Sequence, residues 1–212
     1  FGAHGGYAER VVVPVESVVR SPAGTTDAQA ATLPMNALTT RMALDELALE
    51  PGQTLAVSGA AGAVGGYVLQ LARAAGLRTV ADAAPADEEL VRALGADDIV
   101  PRGDDFAAQV RRIVPAGADG LVDAALLEGR AIGAVRDGGA MATLRGYDGS
   151  DLDATERRGI TVLPIFVRNY ARQHAKLDAL RALVEAGVLT LRVARTFPAE
   201  QAPDCLLYTS DA

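Results

Sequence analysis

A glycine-rich turn between a short apolar segment and an amphipathic one constrains the fold of this chain more than any other feature. Residues 54–58 favour a buried β-strand, and residues 64–75 repeat apolar side chains at the spacing of one helix face. Residues 59–65 between them read GAAGAVG. Small residues let a backbone turn tightly and approach a bound group, and a helix start offers unpaired N–H groups. The pattern predicts a strand, turn and helix able to hold an anionic group.

The spacing of this turn is close to that of a dinucleotide-binding motif. Ala60, Gly62 and Gly65 hold the three positions of G-x-G-x-x-G, with alanine replacing the first glycine. Glycines at these positions could also serve only to pack a helix closely on a strand. We interpret the turn as a dinucleotide site because a strand precedes it, a helix follows it and at least three βα units lie downstream.

The rest of the chain alternates between the two periodicities, which predicts right-handed βαβ units. Further strands are predicted at 78–83, 98–100, 120–125, 140–144 and 160–167, and helices at 87–94, 106–114, 130–135 and 175–186. Such alternation indicates an α/β fold, a doubly wound parallel sheet of the Rossmann type covered on both faces.

The two ends of the chain leave this alternation. Residues 7–19 and 188–197 are predicted to contain β-strands, and residues 25–49 a helix that starts at Thr26 or Asp27 and breaks at Pro34. The last eight residues, Cys205 to Ala212, fit neither a helix start after Pro203 nor a useful strand, so a misread or foreign end is an open interpretation.

Composition excludes several classes of function. The chain has 27 acidic and 20 basic residues, and no Lys/Arg-rich run gathers the basic ones, so nucleic acids and acidic membranes are poor partners. One cysteine and two histidines assemble neither a disulfide framework nor a cysteine-rich zinc site, and we predict no metal.

No apolar run approaches the roughly 20 residues of a membrane span, so a cytoplasmic location is expected. The start at Phe1 in a loop-like segment predicts a fragment.

Asp82 lies where a dinucleotide fold places an acidic ribose ligand. It follows Gly62 by about 20 residues, near the end of the second predicted strand. A carboxylate there would accept hydrogen bonds from an NAD ribose and repel a 2′-phosphate. A shift of one residue along a strand turns the side chain to the other face, so Asp82 is either a ribose ligand or a bystander.

Seven short motifs follow one another along the chain. They are Gly6-Tyr7-Ala8-Glu9, Ala31-Thr32-Leu33-Pro34 with Leu38-Thr39, Pro51-Gly52, the glycine-rich turn, Leu94-Gly95-Ala96-Asp97, Asp119-Gly120-Leu121-Val122-Asp123 and Asp137-Gly138-Gly139. Each is common by itself, but their order is specific. From Gly5 to about Asp204 the chain resembles the medium-chain dehydrogenase/reductase superfamily, in its zinc-independent quinone oxidoreductase-like branch.

The resemblance implies a domain organisation. Residues 1–36 would be the remainder of a GroES-like β domain, 37–172 a Rossmann domain and 173–204 the return to the first domain, followed by an atypical tail at 205–212. Partial GroES-like β segments would then lie at both chain ends. The resemblance also implies a homodimer for the full-length protein.

The implied activity is hydride transfer between a nicotinamide cofactor and a quinone or an activated enone or carbonyl, without zinc. Two alternatives stay open. An enoyl-thioester reductase shares this glycine-rich segment, and a nucleotide-binding module would bind the cofactor without turnover.

Matching motif to motif assigns the site residues. The resemblance places Thr39 beside the nicotinamide, although a helix N-cap is the alternative role. The turn would hold the pyrophosphate, and the ends of two strands would form the walls of the nicotinamide site. These residues are Ala60, Ala61, Gly62, Ala63, Val64 and Gly65 in the turn, and Asp123, Ala124, Leu144 and Arg145 in the walls.

The choice between NADP and NAD depends on two departures from the NADPH-using relatives. Residues 84–87 contain no lysine, and Arg102 stands where those relatives carry a tyrosine. Arginine can bind a 2′-phosphate through two hydrogen bonds, so Arg102 favours NADP, whereas Asp82 favours NAD and a solvated Arg102 is the alternative. NADP is the predicted cofactor and NAD the alternative.

Histidine titrates near neutrality, so His4 and His174 are candidate proton donors, together with Tyr7. His4 and His174 have no partner motif nearby, and Tyr7 belongs to a predicted strand. We therefore predict no acid role for any of the three.

Overall fold

The computed structural model describes residue 8 and residues 10–210, with the backbone alone at 207–210. His4 and Tyr7 lie outside these residues. The strands are β1 (Thr54–Ser58), β2 (Arg78–Ala83), β3 (Asp98–Pro101), β4 (Ala118–Asp123), β5 (Val135–Thr143) and β6 (Thr161–Pro164). All neighbours pair in parallel, in the order β3-β2-β1-β4-β5-β6.

Helices connect the strands and flank the sheet. They are α1 (Asp27–Ala31), α2 (Leu33–Leu47), α3 (Ala63–Ala74), α4 (Glu88–Ala93), α5 (Phe106–Ile113), α6 (Ala154–Arg157), α7 (His174–Glu185) and α8 (Ala202–Ser210). Short 3-10 turns occur at Val15–Ser17, Pro85–Asp87, Glu128–Ala134, Val167–Tyr170 and Ala199–Gln201. The predicted N-cap at Thr26 is confirmed, since its side chain and that of Gln29 form a reciprocal capping box.

Apolar cores cover both faces of the sheet. Leu55 and Val57 of β1 belong to the core under α2, α3 and α7, whereas Ala56 belongs to the opposite core with Phe106 and Val110 of α5. Every residue of β1 is buried, because a parallel strand in the middle of a two-sided sheet has no solvent face. This explains the uninterrupted apolar character of the predicted strands, and the predicted α/β fold class is confirmed.

The strand order creates one place for a crevice. The chain runs outward from β1 to β2 and β3 and then returns to place β4 on the other side of β1. Loops leaving the carboxyl ends of β1 and β4 therefore diverge, and a ligand can bind between them. Ser58 and Asp123 are register partners at this edge.

Four predictions of local structure are wrong. Within the described residues, 10–19 and 188–197 form extended chain and turns with no strand, because no neighbouring strand pairs with them. The tail after Gln201 is the helix α8, and Pro203 is tolerated there because a first-turn residue needs no N–H bond. The segment predicted as a helix at 130–135 is a 3-10 turn. The predicted domain boundaries stay a prediction.

No helix in the part of the chain that the structure describes is both long and apolar enough to cross a membrane.

A half-buried ionic cluster ties α2 to the elements after β6. Asp45 accepts hydrogen bonds from Lys176 Nζ at 2.6 Å and from the Tyr170 hydroxyl at 2.9 Å, and it forms an ion pair with Arg41 at 2.7 Å. Burial alone raises the pKa of Asp45, but the hydrogen bonds from Lys176 and Tyr170 and the positive charges outweigh it, so the pKa lies below its ordinary value.

We expect Asp45→Asn to lower the free energy of unfolding by about 1 kcal/mol at neutral pH, a modest value because the cluster is partly solvated. A lowered pKa stabilises the fold above the ordinary carboxyl value of 3.8, and the contribution is lost as the pH falls below it. Urea unfolding at several pH values measures this. The variant and the parent should converge in acid, whereas the control Glu46→Gln, an exposed position on the same helix, should match the parent throughout.

Candidate functional site

A cavity of about 390 Å³ opens at the carboxyl ends of β1, β4 and β5. It brings together eight of the predicted site residues: Thr39, Gly62, Ala63, Val64, Gly65, Ala124, Leu144 and Arg145. The other predicted residues, Ala60, Ala61, Asp82, Arg102 and Asp123, do not line this cavity. The site therefore contains part of the glycine-rich turn and part of both predicted walls.

The glycines of the turn have different physical roles. A Cβ atom added to Gly65 would lie 2.2 Å from the carbonyl oxygen of Gly59, so the backbones meet where no side chain fits. Gly59 has φ +66°, and its added Cβ would lie 2.9 Å from the backbone of Ala124. At Gly62 the added atom would meet only the Gly59 oxygen, at 3.1 Å. Gly59 and Gly65 are thus needed for folding, whereas Gly62 leaves its space to the cavity.

Helix α3 begins at this cavity. Its N-cap is Gly62, which has no side chain to accept hydrogen bonds from the first turn. The N–H groups at the start of a helix carry a partial positive charge and are good donors to phosphate oxygens. The open space at Gly62 and these donors fit the pyrophosphate of a dinucleotide.

Asp82 is buried and hydrogen-bonded to the backbone of the glycine-rich turn. The residue is 2% exposed, and Oδ1 accepts the backbone N–H of Ala60 at 3.0 Å. Ala60 is itself fully buried. A buried carboxylate is costly unless it is hydrogen-bonded, so this contact fixes Asp82 as part of the strand-to-helix junction. The arrangement leaves the carboxylate under the turn, away from the cavity.

Asp123 plays a similar part in the opposite wall. It accepts hydrogen bonds from Ser58 Oγ at 2.5 Å and from the backbone N–H groups of Leu127 at 3.0 Å and Glu128 at 2.7 Å. Ser58 Oγ in turn accepts the N–H of Ala125 at 3.2 Å. The buried carboxylate thereby shapes the loop after β4, which carries Ala124 to the cavity.

Arg102 lies at the rim of the sheet, beyond the carboxyl end of β3. Its side chain is 46% exposed, and its guanidinium lies 3.6 Å from Asp82 and 3.5 Å from Asp87. These contacts are longer than the 2.7–2.9 Å of tight charge-assisted hydrogen bonds, so the guanidinium is only loosely held. It can reach a phosphate beside the end of β2.

Thr39 lies within α2, whose N-cap is Thr32, so the alternative role of Thr39 as an N-cap is wrong. Its hydroxyl donates to the carbonyl oxygen of Met35 at 2.8 Å. That bond uses the only proton of the hydroxyl, so the oxygen can act toward a ligand as an acceptor. The hydroxyl of the neighbouring Thr40 donates to the Asn36 carbonyl at 3.0 Å and lies 3.3 Å from the Val64 carbonyl, where α2 packs against the start of α3.

Two wall residues have strained backbones. Leu126 and Arg145 both have φ 58°, in the left-handed region that residues with side chains rarely adopt. Both line the cavity. Such strain is concentrated at binding sites, where the surrounding structure compensates its cost.

Sequence reasoning missed six cavity residues: Met35, Asn36, Gly59, Leu126, Ile165 and Val167. One signal was available, since Asn36 precedes Thr39 by one helical turn and shares its face. Ile165 and Val167 follow β6, and only the sheet order brings them beside β5. The predicted bystander His174 is exposed at the start of α7.

No group of three or more His, Cys, Asp or Glu side chains that could hold a metal ion occurs in the described part of the chain. A protein zinc site needs three or four such ligands. The described residues therefore do not fit a zinc ion.

Comparisons with known proteins agree with this geometry. Residues 94–211, more than half of the chain, match the family described as zinc-binding dehydrogenase. The curated polyketide synthase GfsB of Streptomyces halstedii is 32% identical over 98% of this chain, a match that spans 4% of that protein.

Two solved structures are also similar. A CurK enoyl reductase has a TM-score of 0.82 at 25% identity, over 94% of this chain and 64% of that one. An NAD-dependent alcohol dehydrogenase has a TM-score of 0.83 at 30% identity, over 98% of this chain and 62% of that one. The chain thus spans less than two thirds of each of these relatives. It belongs to the zinc-binding dehydrogenase family, within the medium-chain dehydrogenase/reductase superfamily.

Proposed function

We propose that this chain binds NADPH and transfers its hydride to the conjugated double bond of an unsaturated carbonyl compound, an enoyl thioester being the substrate class. One observation carries the proposal. A single cavity joins the start of α3, which suits a pyrophosphate, to Thr39 and the ends of β4 and β5, which suit the nicotinamide end. Among the conjugated carbonyl compounds, an enoyl substrate is favoured because one similar structure is an enoyl reductase and the similar GfsB is a polyketide synthase.

The chain's own residues would bind and orient the cofactor. The space at Gly62 would admit the pyrophosphate against the first turn of α3, and the Thr39 oxygen would accept an N–H of the carboxamide. Arg145 is the one charged residue among those lining the cavity, so its guanidinium favours an anionic cofactor. Bound nicotinamide supplies the hydride, and the walls at Ala124 and Leu144 would hold it away from water.

The proposed reaction needs no metal. In a conjugated carbonyl compound the carbonyl group already draws electrons from the β-carbon, which accepts the hydride. The α-carbon then takes a proton from water. Positioning of cofactor and substrate supplies the main catalytic effect in such a reaction.

Turnover distinguishes this function from its alternatives. We expect loss of NADPH absorbance with a short 2-enoyl thioester and formation of the saturated thioester. A chain that reduced a benzoquinone but not the thioester would contradict the substrate class and favour quinone reduction. Cofactor binding without turnover of either compound would indicate a nucleotide-binding module.

Substitution of Gly62 tests the pyrophosphate site. The variants Gly62→Ala and Gly62→Val cap a helix equally poorly, so their stabilities should be similar. The larger side chain projects into the cavity, and we expect it to weaken NADPH binding by a further factor of at least about ten, or about 1.4 kcal/mol. Calorimetric titration measures the affinity and thermal unfolding the stability. Equal affinities for the two variants would remove Gly62 from the site.

Arg102 and Asp87 test the choice of cofactor. Arg102→Ala should weaken NADPH binding about tenfold and leave NADH within about twofold, because only NADPH carries the 2′-phosphate. Asp87→Asn removes a carboxylate that competes for the same guanidinium and should tighten NADPH binding. Parallel titrations with both cofactors measure these ratios. Equal losses for NADPH and NADH in Arg102→Ala would show that Arg102 does not recognise the phosphate.

A further inference from the structure

We infer that Arg192 is a positioning residue, which orients the peptide groups of the glycine-rich turn for binding the cofactor's pyrophosphate. The inference rests on the proposed function, since it concerns the same cofactor. Arg192 lies in the extended segment after α7, more than a hundred residues from the turn in sequence. No sequence motif pointed to it.

Arg192 donates two hydrogen bonds to carbonyl oxygens of the turn, an arrangement called here the Arg192 clamp. Arg192 Nη1 donates to the oxygen of Ala61 at 3.0 Å, and Nη2 donates to the oxygen of Gly62 at 2.6 Å. The Gly62 oxygen also accepts the N–H of Gly66 at 2.9 Å, the first hydrogen bond at the start of α3. Two donors therefore hold this one carbonyl, in the turn that the proposed function assigns to the pyrophosphate.

Peptide planarity converts this clamp into a constraint on a donor. In a trans peptide the C=O and the N–H point in opposite directions, so a fixed carbonyl fixes the N–H on the far side of the same plane. The N–H that shares a peptide with the Gly62 carbonyl belongs to Ala63, which lines the cavity. Arg192 itself does not line that cavity; it lines a second one, which shares Asn36 and Ala63 with the first. It acts on the cofactor site through the turn.

Gly66 makes room for the guanidinium. A Cβ atom at Gly66 would lie 2.5 Å from Arg192 Nη2 and 3.3 Å from its Cζ, and the remaining close neighbour is a methyl group of Leu94 at 3.2 Å. Glycine within a helix is otherwise unfavourable compared with alanine. The close approach of Arg192 explains why position 66 is occupied by glycine. A new Cβ would displace only the end of the flexible Arg192 side chain.

The clamp has an alternative explanation as a purely structural link, which joins the segment at 188–197 to the sheet domain. A structural link would alter stability and would affect all ligands alike. A positioning role would affect a ligand that contains the pyrophosphate and spare one that lacks it. The charge of Arg192 could also act by itself, and variants that keep the charge separate this effect.

The experiment titrates the whole chain calorimetrically with NADPH and with adenosine 2′-monophosphate, which lacks the pyrophosphate. We expect Arg192→Met to weaken NADPH binding about tenfold or more and to leave the monophosphate within about twofold. Arg192→Lys keeps the charge but has no planar fork, so its NADPH affinity should be intermediate.

Gly66→Ala is the matched variant that keeps arginine at position 192. It should displace the guanidinium, weaken NADPH binding to a similar extent and keep or raise the melting temperature, because alanine favours the helix. The double variant Gly66→Ala/Arg192→Met should lose no more than either single variant, since both remove the same interaction.

Three results would overturn the inference. The first is an equal loss of affinity for NADPH and for adenosine 2′-monophosphate in Arg192→Met. The second is parent-like NADPH affinity in both Gly66→Ala and Arg192→Lys. The third is a lowered melting temperature with unchanged NADPH affinity in Arg192→Met. Failure of the parent chain to bind either NADPH or NADH would overturn the proposed function as well. If the parent binds NADPH and every variant binds it with the same affinity, only the inference about Arg192 is overturned.

Discussion

The close approach of backbone to backbone between β1 and α3 is the constraint on which the rest of the site depends. Residue 65 packs so near the carbonyl of residue 59 that only glycine fits, and the chain can then turn from the strand into the helix within a few residues. That short path brings the helix start to the carboxyl edge of the sheet. A longer turn would move the positive end of the helix away from the point where β1 and β4 diverge.

Buried carboxylates stabilise this edge rather than reach into the cavity. Asp82 holds the turn after β1, and Asp123 holds the loop after β4. Each is nearly inaccessible to solvent and accepts backbone N–H groups, which offset the cost of burying a carboxylate. Asp123 also accepts the Ser58 hydroxyl, and the second oxygen of Asp82 lies 3.6 Å from the Arg102 guanidinium. The cavity itself is lined by backbone, small residues and apolar side chains, with Arg145 as its one charge. In the proposed function, recognition of an anion there would depend on helix N–H groups and on the guanidinium groups around the turn.

Elements from both ends of the described chain contribute to this edge. Helix α2 precedes the sheet and supplies Thr39, and the segment after α7 supplies the clamp of Arg192 on the turn. The ionic cluster of Asp45 holds α2 to the elements after β6. The site is therefore a junction between the sheet domain and its flanking segments. Its geometry depends on contacts that span more than a hundred residues of sequence.

The sequence by itself determined the central sheet and the turn, because hydrophobic periodicity, glycine and helix caps act over a few residues. Most helices and strands from Thr26 to Glu185 were predictable for that reason. The exceptions are a 3-10 turn in place of one predicted helix and the short helix α6, which was not predicted. The segments at 10–19 and 188–197 were not, since a valine-rich stretch becomes a strand only where another strand pairs with it. Only the tertiary structure decided that Asp82 accepts a hydrogen bond from the turn and that Arg192 donates hydrogen bonds to two carbonyl oxygens of the turn. Both depend on side-chain direction and on distant packing, which local sequence does not encode.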